Sequence, residues 1–106
     1  MNESQNWVTV AKRADLQAGK IKGVKIGAQE IALYNLDGEI YATDGVCSHA
    51  YANLADGYLD KDLIVCPLHA GCFDIKTGKA VEAPAEDDIK VFPVRIAGDD
   101  IQVAIG

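Results

Sequence analysis

The chain has 106 residues, of which 49% are hydrophobic, with 10 basic against 16 acidic side chains and a formal net charge of −6. That length suits one domain, residues 1–106, around one modest core, and an acidic chain lacks the basic face that nucleic-acid binding requires. No apolar run approaches the roughly 20 residues of a membrane-spanning helix, and Met1 to Asn6 carry neither the basic nor the apolar stretch of a secretory signal, so a cytoplasmic protein with no membrane partner is expected.

Short apolar runs broken by turn residues predict an all-β domain. Residues 7–10 form a first strand, and Asp15 to Gly19 form a turn. Residues 21–26 follow as a second strand with only partly regular alternation. Residues 31–36 and 39–43 flank Asp37-Gly38. Asp-Gly between two apolar runs signals a type I′ hairpin, whose two central residues need positive φ. Residues 50–56 hold at most one helical turn, and no stretch reads as a helix of three turns. Residues 63–65 are a short buried strand leading straight into Cys66, and residues 72–75 are another, turning at Lys76 to Lys79. Residues 90–96 and 101–105 close the chain as a hairpin around residues 97–100. Pro93 inside that run requires an edge strand or a bulge.

Two compact clusters stand apart from this scaffold: Cys47-Ser48-His49 and Cys66-Pro67-Leu68-His69, with sixteen residues between His49 and Cys66. They contain both histidines of the chain and two of its three cysteines. Both fall in loops at strand ends, where a rigid scaffold aims side chains at one point. Paired Cys and His at such spacing is a metal signal. Two thiolates and two imidazoles are the ligand set of an iron–sulfur centre in which two His replace two Cys on one iron. Structural zinc also takes Cys₂His₂, usually pairing Cys with Cys and His with His. Here Cys and His alternate within each cluster. That order suits a two-iron cluster, each loop giving its Cys to one iron and its His to the other. Spacing alone leaves zinc as the alternative.

The pattern Cys47-x-His49-x₁₆-Cys66-x-x-His69 resembles the Rieske family. The likeness continues through Gly71, Phe73-Asp74, Thr77-Gly78 and Ala83-Pro84 to Pro93-Val94, and upstream through Leu33-Tyr34 and Glu39-Ile40-Tyr41-Ala42. It covers essentially the whole chain and is nearest to the small Rieske ferredoxins of bacterial multicomponent aromatic-ring dioxygenases. The resemblance implies an antiparallel β-sandwich with a small cluster-binding part, about residues 45–84, built from two ligand loops. It implies one [2Fe–2S] cluster, with Cys47 and Cys66 on one iron and His49 and His69 on the outer iron. The loop around Pro84 would cover the cluster from a third side. It further implies a one-electron carrier, not a catalyst. Its partners would be a flavoprotein ferredoxin reductase using NAD(P)H and the terminal oxygenase component, and a monomer suits such a shuttle.

Departures from the wider family set the expected potential. Rieske proteins of respiratory bc complexes join their cluster loops by a disulfide, at positions occupied here by Ala52 and Leu68. They also aim a Ser and a Tyr hydroxyl at the cluster, where this chain has Gly71 and Phe73. Hydrogen bonds to sulfur favour the reduced state, so their loss places the potential near the low end of the Rieske range, roughly −150 mV.

Other features have plainer readings. Cys72 is expected to be a small buried residue, not a redox thiol. Trp7 is expected in the core or at a sheet edge. Glu86-Asp87-Asp88 reads as a solvated run or as a dock for a basic partner. Ala50, Tyr51, Leu68 and Pro84 would suit an apolar ring for a small, brief contact. A Rieske oxygenase would need a second iron held by two His and a carboxylate, and no His remains for one. Two further readings are a small Rieske-like subunit of a nitrite reductase and a zinc-stabilised interaction module.

Overall fold

A computed structural model describes residues 6–46, 53–67, 71–82 and 88–105. The described strands are β1 (Trp7–Lys12), β2 (Ile21–Ile26), β3 (Gln29–Leu36), β4 (Glu39–Asp44), β5 (Tyr58–Asp60), β6 (Leu63–Val65), β7 (Cys72–Asp74), β8 (Ala80–Glu82), β9 (Val91–Phe92), β10 (Val94–Ala97) and β11 (Asp100–Ala104). Helical structure among the described residues is limited to the 3₁₀ turns Arg13–Asp15 and Leu54–Asp56. The strands form three sheets, in the orders β1-β11-β10, β2-β3-β4-β9 and β5-β6-β7-β8. Every pairing in them is antiparallel. This is the expected all-β architecture.

Strand β3 explains the layering. Residues 31–35 are all buried, because successive side chains point to opposite faces and both faces are covered. Ile31 and Leu33 enter one core with Leu16, Ala42, Phe92, Ile101 and Val103. Ala32 and Tyr34 enter the other with Leu54, Ile64, Cys66, Phe73, Ile75 and Ile89. The β2–β4 meander is thus a wall, with the terminal strands β10 and β11 contributing to one core and β6 and β7 to the other. The β3–β4 hairpin turns at Asp37 and Gly38 with φ of 54° and 99°, as a type I′ turn requires.

The closing hairpin differs from the sequence expectation. Residues 90–96 are not one strand. The run divides at Pro93, with β9 pairing to Ala42 and Thr43 of β4 and β10 pairing to β11 in another sheet. Proline has no N–H for a ladder, so the chain changes sheets there, and both pieces are edge strands. Ala97 pairs with Asp100, which shortens the turn to Gly98-Asp99. Strands β5 and β8 were not predicted, because Tyr58–Asp60 and Ala80–Glu82 lack the apolar run that marks Leu63–Val65 and become strands through the neighbours they pair with.

Two contacts set the rigidity of the wall and its neighbour. The buried Tyr34 hydroxyl lies 2.7 Å from Thr43 Oγ1. Thr43 donates its own proton to the Asp44 carbonyl at 2.9 Å, so Tyr34 is the donor to Thr43. On the other side, Tyr58 pairs with Val65, and a Cβ on Gly57 would collide with the Val65 carbonyl oxygen.

Burial pushes the Tyr34 phenol well above its ordinary value of 10.0. The folded chain therefore keeps Tyr34 protonated after the unfolded chain has begun to ionise, and stability falls as pH rises past about 10. Tyr34→Phe is expected to lose about 1 kcal/mol at pH 7–9 through the missing hydrogen bond. Its deficit should shrink above pH 10, read as the difference in thermal midpoint; a constant difference up to pH 11 would contradict this. Gly57→Ala is expected to cost about 3 kcal/mol, lowering the midpoint by more than about 10 °C. A midpoint unchanged by this substitution would show that the close approach at Val65 is not a constraint.

Candidate metal centre

Of the four predicted ligands the structure places Cys66; Cys47, His49 and His69 lie outside the described residues. Cys66 directly follows β6. Strand alternation puts Ile64 and Cys66 on one face, and both belong to the core that contains Tyr34, Leu54 and Phe73. Cys66 is 1% exposed. Its N–H donates to the Gly71 carbonyl at 2.7 Å, which ties Cys66 to the residue that begins the approach to β7.

The segment 47–52 is closed in the same manner. Val46 and Asn53 pair as an antiparallel bridge, and the Leu54 N–H donates to the Gly45 carbonyl at 2.8 Å. Asn53 Oδ1 accepts from the Ala55 N–H at 3.0 Å, capping the 3₁₀ turn. Leu54 then packs in the same core as Cys66. The returning end of one predicted ligand loop and the Cys of the other therefore share one packed layer.

The segment 83–87 is held at its ends as well. The Ala80 N–H donates to Asp88 Oδ1 at 2.9 Å, and the Ile89 N–H donates to the Gly78 carbonyl at 2.8 Å. Ile89 also packs in the Cys66 core. Asp88 thus has a framework role that its place in an acidic run did not suggest. Sequence reading also passed over Asn53 and Gly57. An Asn three residues before Asp56 is a capping signal that would have found Asn53.

The placed residues fit an iron–sulfur cluster. A thiolate is costly in apolar surroundings unless its charge is met by a metal, and Cys66 sits in such surroundings. Gly71 beside it is buried and adds no side chain, which leaves room. Phe73 is fully buried and carries no hydroxyl. Two thiolates and two imidazoles are the donor set of an asymmetrically ligated two-iron centre.

Other flagged residues find ordinary roles. Cys72 is buried in β7, paired with Val65 and Glu82. Trp7 lies on the edge strand β1, its ring covered by the Arg95 guanidinium at 4.4 Å. Ala50, Tyr51, Ala52, Leu68, Pro84, Glu86 and Asp87 lie outside the described residues. A cleft of about 420 Å³ lined by Arg13, Leu16, Asn35, Gly38 and Asp99 lies at the turn end of β3–β4. The segment 47–52 leaves from the other end of β4.

Residues 6–93 match the family model of the Rieske [2Fe–2S] domain. The ferredoxin component of the naphthalene 1,2-dioxygenase/salicylate 5-hydroxylase systems of Ralstonia sp is 50% identical over 93 residues, covering 88% of this chain and 89% of that protein. The Sphingomonas yanoikuyae B1 ferredoxin structure has a TM-score of 0.90 at 36% identity, covering 95% of this chain and all 100% of that one. A chain in the complex of reduced oxygenase and oxidized ferredoxin of carbazole 1,9a-dioxygenase has a TM-score of 0.88 at 36% identity, covering 95% and 94%. These likenesses overturn the zinc-module reading. The chain belongs to the Rieske [2Fe–2S] domain family, as one of its electron-transfer ferredoxins, and its cofactor is a Rieske-type [2Fe–2S] cluster.

Proposed function

We propose that this protein is a one-electron carrier. It takes electrons from a flavoprotein NAD(P)H-dependent ferredoxin reductase and passes them to the Rieske centre of a terminal aromatic-ring dioxygenase. The observation that carries this reading is 50% identity, over nearly the full length of both chains, to a ferredoxin component of a dioxygenase system. The partnership of oxygenase and ferredoxin in the carbazole 1,9a-dioxygenase complex supports the acceptor side. Residues 1–106 act as one Rieske domain, with the cluster-binding part at about 45–84. No described helix is long and apolar enough to cross a membrane, and the working form is a cytoplasmic monomer.

In this reading Cys47 and Cys66 hold one iron, while His49 and His69 hold the outer one. When bound, the cluster supplies a one-electron couple whose potential depends on its ligands and their hydrogen bonds. His49 and His69 bind as neutral imidazoles, which leaves the site two charge units less negative than four thiolates would and makes reduction easier. Gly71 and Phe73 offer no hydroxyl to the cluster, which favours a potential near roughly −150 mV.

Reconstitution tests the function. Mixed with NADH, a flavoprotein reductase and a terminal aromatic-ring oxygenase, the protein should be required for dihydroxylated product to form. Product formation independent of it, or activity restored only in a nitrite reductase lacking its small subunit, would sink the reading. His69→Cys tests the site: a thiolate in place of a neutral imidazole should lower the potential by about 100 mV. Protein-film voltammetry returning the wild-type potential for that variant would contradict the ligand assignment.

A further inference from the structure

We propose that Asp44 is a positioning residue for the cluster, one that locks the strand end from which the first ligand loop departs to the segment that returns from residues 83–87. Asp44 is the last residue of β4, three residues before Cys47. Both of its backbone groups and both of its carboxylate oxygens are engaged. Its N–H donates to the Lys90 carbonyl at 2.9 Å, and its Oδ2 accepts from the Lys90 N–H at 2.9 Å. Its Oδ1 accepts from Gln29 Nε2 at 3.2 Å. Its carbonyl accepts from Thr43, which is itself bound by the buried Tyr34. The next residue is held too, with the Gly45 N–H donating to the Glu30 carbonyl at 2.8 Å.

The geometry calls for this brace. Strand β9 pairs with β4 through two residue pairs only, Ala42 with Phe92 and Thr43 with Val91. Two pairs do not fix the direction of the segment just before β9. The Asp44 N–H begins a third rung by donating to the Lys90 carbonyl, and the Asp44 carboxylate completes it by accepting from the Lys90 N–H, standing in for a backbone carbonyl. Asp44 thereby joins three pieces: the start of β3 at Gln29, the departure of residues 47–52, and the return of residues 83–87 through Lys90. None of this was legible in the sequence, where Asp44 ends an apolar run without a motif.

Removing the carboxylate leaves the Lys90 N–H and the Gln29 amide without that acceptor, and the two loop ends are then held together only by the Asp44 N–H to Lys90 carbonyl bond and the two β4–β9 pairs, a looser tie. The inference rests on the ligand assignment proposed above. Its test is separable, because a wild-type protein without a Rieske EPR signal would sink that assignment before any variant is read.

The experiment compares cluster loss to an iron chelator and EPR linewidth in the holoprotein. Asp44→Ala should lose its cluster about tenfold faster, the scale seen for residues that orient metal ligands, and should show broadened g-features. Asp44→Asn keeps an oxygen for the Lys90 N–H while removing the charge, and should restore linewidth and lifetime to within about twofold. Gln29→Ala removes a single donor and should speed loss about threefold, the scale of one hydrogen bond; this variant keeps the test open if Asp44→Ala does not fold. Wild-type lifetime and linewidth in Asp44→Ala, or in Gln29→Ala where the former does not fold, would overturn the proposal. So would an Asp44→Asn protein that behaves like Asp44→Ala, because the effect would then be one of charge.

Discussion

The double burial of β3 is the constraint on which the rest of this molecule depends. Ile31 and Leu33 face one core, Ala32 and Tyr34 the other, so the strand cannot slip by one residue without exchanging every side chain between cores. Strand β4 is tied to it by six consecutive pairs, from Ile31 with Asp44 to Leu36 with Glu39. The end of β4 is therefore as fixed as the wall itself, and the first predicted ligand loop leaves from that end. Buried polar groups in the wall find partners inside the protein, Tyr34 with Thr43 and Asn35 with the Leu16 carbonyl.

The β5-β6-β7-β8 sheet is stable for a different reason. Its strands are three residues long, too short to hold a sheet alone. Packing against the wall holds them, through Ile64, Cys66, Phe73 and Ile75. Backbone hydrogen bonds then close the loop ends, at Cys66 with Gly71 and at Leu54 with Gly45.

Much of the fold was legible because it obeys local rules. Asp37-Gly38 announced its turn, residues 21–26 and 63–65 announced their strands, and Cys66 fell where a strand ends. Reading failed where long-range contacts decide. Pro93 marked an irregularity, but only the competing partners β4 and β11 show that the chain changes sheets there. Tyr58–Asp60 and Ala80–Glu82 are strands because neighbours pair with them, not because of their own pattern. For the site, two Cys/His pairs carry a chemical signature that needs no tertiary information. Asp44, Asn53, Gly57 and Asp88 act through partners distant in sequence or through backbone geometry, and their residue types carry no such signature.

The central claim is that Cys47, His49, Cys66 and His69 hold a Rieske cluster on this scaffold. Low-temperature EPR of the dithionite-reduced protein, with iron and acid-labile sulfide determined on the same sample, tests it most directly. The account predicts a rhombic signal with an average g below that of plant-type ferredoxins, and two irons and two sulfides per chain. A colourless, EPR-silent protein holding one zinc would contradict it.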